Sequence, residues 1–246
     1  MLSYLVDFFR GEIEAIDLIV YILSITYVCL CATPLHEFAH AWVAVKLGDD
    51  TPKLRGRLTI NPMAHVHPIG ILMIFLFGFG YAKPVDIRIR NFKKPKRDMA
   101  LVALAGPFSN FLQAVVYIFI AVVLNAVVLM FNLSALLYVS TFFVFAASIN
   151  IGLAVFNMIP VPPLDGSRLL TAFLPAKAYF KIMQYERYIS IGLMVLLFTG
   201  VLSVPIGMAA RIVEFALIFV FSLPISLITG IPFVMLYESL LVLLVG

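Results

Sequence analysis

Charge is scarce in this sequence: Lys, Arg, Asp and Glu together make up 12% of its 246 residues, against 63% apolar. An ordinary soluble domain carries about 25% charged residues. With a mean hydropathy of +1.08, the chain lacks the polar residues needed to cover a surface in water. A soluble enzyme is thereby excluded. So are a disordered protein and a nucleic-acid-binding domain, each of which needs long hydrophilic segments, despite a net charge of +4. Cysteine is nearly absent too. Cys29 and Cys31 stand about 200° apart on a helix, so they do not readily bridge each other and no disulfide framework exists. The N-terminus, MLSYLVDFFRGEIEAID, lacks the basic start of a secretory signal, and acidic residues interrupt its apolar pattern. It reads as an amphipathic stretch lying on a membrane surface.

What the chain does have is long apolar runs. A membrane-crossing helix needs about 20 apolar residues. Leu18 to Leu35 carries no charge and continues as a mostly apolar helix through HEFAHAWVAVKLG. Met99 to Leu164 holds no charged residue at all, enough for two helices with a turn around Asn132-Leu133-Ser134. Tyr188 to Ala210 predicts another span and Phe215 to Gly246 one or two more, with boundaries blurred by Pro205, Gly207, Pro224, Gly230 and Pro232. Ile69 to Ala82 is uncharged but short and punctuated by Gly70, Gly78 and Gly80, which suits a re-entrant or interfacial hairpin better than a span. The expected fold is an all-α polytopic membrane protein with five to six transmembrane helices and a short re-entrant or β-hairpin element after the first core helix. Its expected parts are an amphipathic segment over 1–17, a core over 18–175 and C-terminal transmembrane helices over 176–246.

Basic residues set the orientation. Of 17 Lys and Arg, eleven fall between Lys46 and Arg97 and four between Arg168 and Arg187. The excess of Lys and Arg marks the cytoplasmic side, and a first span exiting at Lys46 puts both basic segments there. RIRNFKKPKR is then a positive-inside signal, with contact to anionic lipid, rather than a nucleic-acid patch.

The chemistry is concentrated in His36-Glu37-Phe38-Ala39-His40. Residues i and i+4 share a helix face, so both imidazoles can bind one zinc with Glu37 beside it. Three ionisable side chains within five residues of an apolar helix are costly unless function requires them. A catalytic zinc wants three protein ligands and an open fourth position. Asp165, which ends the uncharged stretch in NMIPVPPLDG, belongs at the cytoplasmic end of its span, at a depth similar to that of His40. Pro160, Pro162 and Pro163 deny that segment a regular helix. His65 and His67, in NPMAHVHPIG, compete with Asp165 for the third place. Pro34, two residues before the first histidine, either kinks the span or begins a new helical segment capped by Thr33.

HEFAH on an early span, GPFSN (Gly106 to Asn110) on a later one and N-x-x-P-x-P-x-L-D-G (Asn157 to Gly166) resemble the site-2 protease family of intramembrane zinc metalloproteases. The likeness covers about residues 18 to 175. It implies His36, His40 and Asp165 as zinc ligands, one zinc per chain, and Glu37 as the catalytic base. It also implies Asn157 as a hydrogen-bond partner for substrate or intermediate. The chain resembles the compact branch of that family: no PDZ-like insertion separates the two helices of Met99 to Leu164, and no nucleotide-sensing domain follows the last span. The tracts NPMAHVHPIG and YAKPVDIRIRNFKKPKRDMALVALAGP are similar to that branch as well. The implied partners are transmembrane protein substrates and the bilayer. The implied place is a prokaryotic plasma (inner) membrane, with the active site towards the cytoplasm. KPVDIRIRNF, in which Ile87 and Ile89 alternate with Arg88 and Arg90, reads as a strand-like segment for holding an extended peptide.

Two other readings compete. In a different class of membrane metalloprotease the third ligand is a glutamate on a later helix, for which Glu186, Glu214 and Glu238 are available. A zinc transporter or inactive scaffold needs no catalytic base. A transporter does need polar residues along several spans, and Met99 to Leu164 offers only amides and hydroxyls.

Overall fold

The computed structural model describes residues 2–65, 67, 69, 70, 73 and 83–245. They form helices joined by turns, with no strand among the described residues. The expected hairpin over Ile69 to Ala82 lies almost wholly outside them. In chain order the principal helices are α1 (Leu2–Phe9), α2 (Ala15–Tyr27), α3 (Thr33–Lys46), α4 (Pro95–Phe131), α5 (Ala135–Asn157), α6 (Asp165–Phe173), α7 (Ala176–Gln184), α8 (Glu186–Phe198), α9 (Ser203–Thr229) and α10 (Phe233–Val245).

Among the described residues, four continuous helices are long and apolar enough to cross a membrane: Ala15–Lys46, α4, α5 and α9. The predicted span Tyr188 to Ala210 is divided. The chain turns between Phe198 and Ser203, where Gly200 takes a left-handed φ of +74°. The predicted run Phe215 to Gly246 becomes the second half of α9 and the 13-residue α10, parted at Gly230 (φ +73°). The expected span Tyr188 to Ala210 thus shrinks to α8 and the last expected span to α10, each of 13 residues and shorter than a bilayer core requires.

Pro34 leaves its mark one turn upstream. It has no N–H to donate and its ring crowds the preceding turn. Val28–Ala32 accordingly forms a π turn between α2 and α3, and the helix runs on without a break. Thr33 does not cap a new helix; its hydroxyl donates back to the Val28 carbonyl (3.2 Å). The additional residue in that turn re-phases α3 against α2, a common device at functional sites.

α4 is the hub. It packs against α3, α5, α6, α9 and α10, around a core of Ala32, Ala114, Ile118, Ala121, Val122, Val144, Ala147, Ile151, Ile218, Leu236 and Leu240. Lipid tails are as apolar as these side chains, so burial alone does not drive the helices together. Close packing through small residues and interhelical hydrogen bonds does. The alanines supply the first. The second comes from Ser24 Oγ donating to the Phe142 carbonyl (3.2 Å), Ser140 Oγ to the Ala121 carbonyl (3.1 Å) and the Tyr27–Tyr117 hydroxyl pair (3.0 Å). Outward-facing Ile212, Leu227 and Ile228 are exposed and meet hydrocarbon. α1 folds back onto α2, with Tyr4 stacked on Tyr21 at 4.1 Å.

Below α3, the segment KPVDIRIRNF is not a strand. Residues 83–88 have no regular structure and Ile89–Asn91 is a single 3₁₀ turn. Its alternation is nonetheless real: Ile87 and Ile89 pack with Ala44, Phe92, Met99 and Val102, while Arg88 and Arg90 are exposed. Buried Asp49 fastens the segment to the end of α3. Its carboxylate accepts from the Thr51 amide and hydroxyl, the Arg88 amide (2.7 Å) and Asn91 Nδ2 (2.7 Å). Burial works to raise this carboxyl; the hydrogen bonds from Thr51, Arg88 and Asn91 outweigh it and hold the group below the ordinary carboxylate range. A carboxylate depressed in the fold contributes stability above its unfolded pKa, and that contribution is lost as pH falls through the lower folded value. Asp49→Ala leaves buried donors unmatched, at about 1–3 kcal/mol of local stability. Hydrogen exchange at the Arg88 and Thr51 amides should therefore speed up about tenfold or more, with α4 protection unchanged. Equal exchange in variant and wild type would show that Asp49 does not anchor the segment.

Candidate metal centre

The site is assembled from three helices. α3 brings His36 and His40 onto one face, as the i, i+4 spacing dictates. α6 brings Asp165 at its first residue. α4 closes the back. His36 Nε2 lies 3.2 Å from Asp165 Oδ2, His40 Nε2 lies 3.1 Å from the same oxygen, and the two Nε2 atoms are 3.1 Å apart. The sides of this triangle are near the roughly 3.3 Å that separates N and O ligands set about 2.0–2.1 Å from a tetrahedral metal.

The donor set explains why the triangle needs a cation. His40 Nδ1 sits 2.7 Å from the Val102 carbonyl. A carbonyl only accepts, so Nδ1 carries the proton and neutral His40 presents a lone pair at Nε2. Asp165 presents a second acceptor. Converging acceptors repel unless a cation joins them. These residues fit a zinc ion, and among the described residues they form the one group so placed.

Gly106 is what allows α4 so near. A Cβ built there would come within 2.5 Å of His36 Nε2 and 2.6 Å of His36 Cε1, and closer still to His40 Nε2. Only glycine leaves that space. Gly166 does the same for Asp165: a Cβ would lie 2.5 Å from the Met158 carbonyl oxygen, so glycine lets α6 begin directly against the turn that ends α5. The far end of α6 is tied to the start of α4 by Lys96 Nζ donating to the Leu174 carbonyl (3.2 Å). Between α5 and α6 the Pro162–Pro163 bond is cis.

The remaining predicted site residues fall in different places. Glu37 is half-buried on α3, close enough for its charge to act on His40. Asn157 is the last residue of α5, with its amide turned back to donate to the Leu153 carbonyl (3.0 Å). Asn157 is not one of the metal group. Neither is His65, whose Nε2 is engaged with the Thr59 carbonyl at 2.7 Å, nor His67. Glu186, Glu214 and Glu238 do not join the triangle either. Two contributors escaped sequence reasoning: the Val102 carbonyl and the close approach at Gly106. The glycine carried a signal, a Gly-Pro pair in the middle of an uncharged span; the carbonyl carried none.

Comparison with known proteins points to the same chemistry, a zinc-dependent protease. The sequence model of peptidase family M50 matches residues 124–203, the stretch that contains Asp165. The candidate zinc metalloprotease YwhC of Bacillus subtilis is 41% identical over 169 residues, 67% of this chain and 75% of that one. The candidate zinc metalloprotease Rip2 of Mycobacterium tuberculosis is 29% identical over 181 residues, 72% of this chain and 66% of its own length. The zinc metalloprotease MJ0392 of Methanocaldococcus jannaschii is 29% identical over 179 residues, 70% of this chain. The chain spans only 41% of MJ0392. No solved structure matches it.

Proposed function

The chain belongs to peptidase family M50, a family of zinc-dependent proteases, and from that premise we propose that it hydrolyses peptide bonds in, or at the edge of, transmembrane segments of other membrane proteins. The observation that carries this reading is where the triangle sits. His36 lies ten residues, about 15 Å of helix, before Lys46, and Gly106 lies eight residues, about 12 Å, past Asp98. Apart from Glu37 itself, no charged residue of these two apolar helices lies between the site and Lys46 or Asp98.

In this reading His36, His40 and Asp165 hold the zinc. When bound, the ion polarises the scissile carbonyl and makes water acidic enough to be deprotonated near neutral pH. Glu37 takes the proton from the attacking water and hands it to the departing amine. Asn157 turns its Nδ2 from Leu153 towards the carbonyl oxygen of the scissile bond as that oxygen gains negative charge. A substrate helix hides its carbonyls in hydrogen bonds, so it unwinds locally before cleavage. Residues 83–88, pinned at Arg88 by Asp49, hold the unwound peptide. The proposed orientation has the mouth of the site on the cytoplasmic side of a prokaryotic plasma membrane; the basic residues clustered between Lys46 and Arg97 and between Arg168 and Arg187 support the orientation.

The test is cleavage in liposomes holding the purified chain and a panel of single-span proteins. Substrates whose spans contain helix-breaking residues should be cut within or beside the span, chelation should stop the reaction, and added zinc should restore it. Cleavage that persists after chelation, or that is confined to water-soluble peptides, would overturn the proposal.

A further inference from the structure

Only one of the two ring nitrogens of His36 is accounted for. Nε2 faces the triangle, while Nδ1 is buried with no hydrogen-bond partner. If Nε2 offers its lone pair to a metal, Nδ1 carries the proton, and the orphan is an N–H donor. Ligating imidazoles almost always give this proton to an acceptor, as His40 gives its own to Val102. Four residues past Gly106 on α4 stands an orphan of the opposite sense. Asn110 is 1% exposed, and its Oδ1 has no partner. α3 and α4 run antiparallel, with His40 level with Val102 and His36 level with Gly106. Asn110 therefore lies one turn from His36 on the same face of α4 that already touches the ring. A buried polar atom without a partner is costly and demands an explanation. Here a donor and an acceptor are left over in one apolar interface.

We propose that Asn110 is a positioning residue of the metal centre: its Oδ1 accepts the His36 Nδ1 proton through one bridging water, fixing the tautomer and ring direction of His36. Burial separates this role from substrate binding, since a side chain 1% exposed is out of reach of an entering peptide. Gln113, one turn further on, is different in kind. Its amide donates to Ser109 and its oxygen accepts from Tyr117, leaving nothing to offer the metal centre. The assignment rests on His36 being a ligand, as the proposed function holds.

The experiment is zinc affinity of the purified full-length chain, measured by competition with a chelator, for wild type, Asn110→Leu, Asn110→Asp and Gln113→Leu. Asn110→Leu keeps similar bulk and deletes the acceptor. Its zinc affinity should fall about 10- to 100-fold, while the melting temperature of the metal-free chain stays level or rises. Asn110→Asp retains an acceptor and should bind zinc at least as tightly as wild type. Gln113→Leu should bind as wild type does. Wild-type affinity in Asn110→Leu, or equal weakening in Asn110→Asp and Asn110→Leu, would overturn the assignment and leave the zinc site standing. A wild-type chain that binds no zinc would instead sink the metal reading, and this assignment with it.

Discussion

Glu37→Gln should abolish proteolysis while leaving zinc bound. Glutamine has the same shape as glutamate but cannot take a proton, and general-base catalysis typically contributes about 10²- to 10⁴-fold. A loss of about 1,000-fold or more in kcat is expected, because no other carboxylate stands ready: Asp165 belongs to the triangle. The metal should stay, since the three converging atoms come from His36, His40 and Asp165 and none comes from Glu37. KM should change little, because the variant loses a group that acts during reaction rather than one that holds substrate. Metal content and turnover measured on one preparation separate the possibilities. Zinc lost along with activity would make Glu37 structural. Activity kept would remove the base from its assigned role, and a transporter or scaffold would have no proteolysis to lose.

Asp165→Asn carries the second large effect. The amide keeps the shape and removes the negative charge, in a site where the two histidines contribute none when neutral. Metal affinity depends on deprotonated, charged ligands, and loss of a directly bound ligand should exceed the 10- to 100-fold typical of an outer partner. Zinc should fall below one per chain and proteolysis should vanish. His65→Ala and His67→Ala should both retain zinc, because neither is in the metal group and His65 is turned to the Thr59 carbonyl. The reverse pattern, with zinc lost on changing His65 or His67 and kept in Asp165→Asn, would overturn the ligand set.

Much of this was legible in the residues alone. The i, i+4 histidines had to share a face, and a proline-broken segment ending in aspartate could reach the same depth, so the triangle is a local rule plus a topology rule. The helical class followed from uncharged runs that only helices or closed barrels can carry across a bilayer. Other features depend on contacts between distant segments. The π turn at Val28–Ala32 answers Pro34, but a proline signals some disturbance without saying which. KPVDIRIRNF alternates like a strand because its isoleucines face α3 and α4; with no neighbouring strand among the described residues, the same alternation settles as an irregular segment and a 3₁₀ turn. The break at Gly200 lies inside a run apolar enough to be taken for one span, since hydropathy reports the solvent and not the direction of the chain. Asn110 was visible within GPFSN, yet its importance appears only beside the unpartnered nitrogen of His36.

If one zinc is held by two imidazoles and one carboxylate, X-ray absorption at the zinc edge of the wild-type chain should show it. The expected spectrum has about one zinc per chain, a first shell of light atoms at about 2.0–2.2 Å and outer-shell scattering from two imidazole rings. Scattering from three or four imidazoles, or a sulfur neighbour at about 2.3 Å, would contradict it.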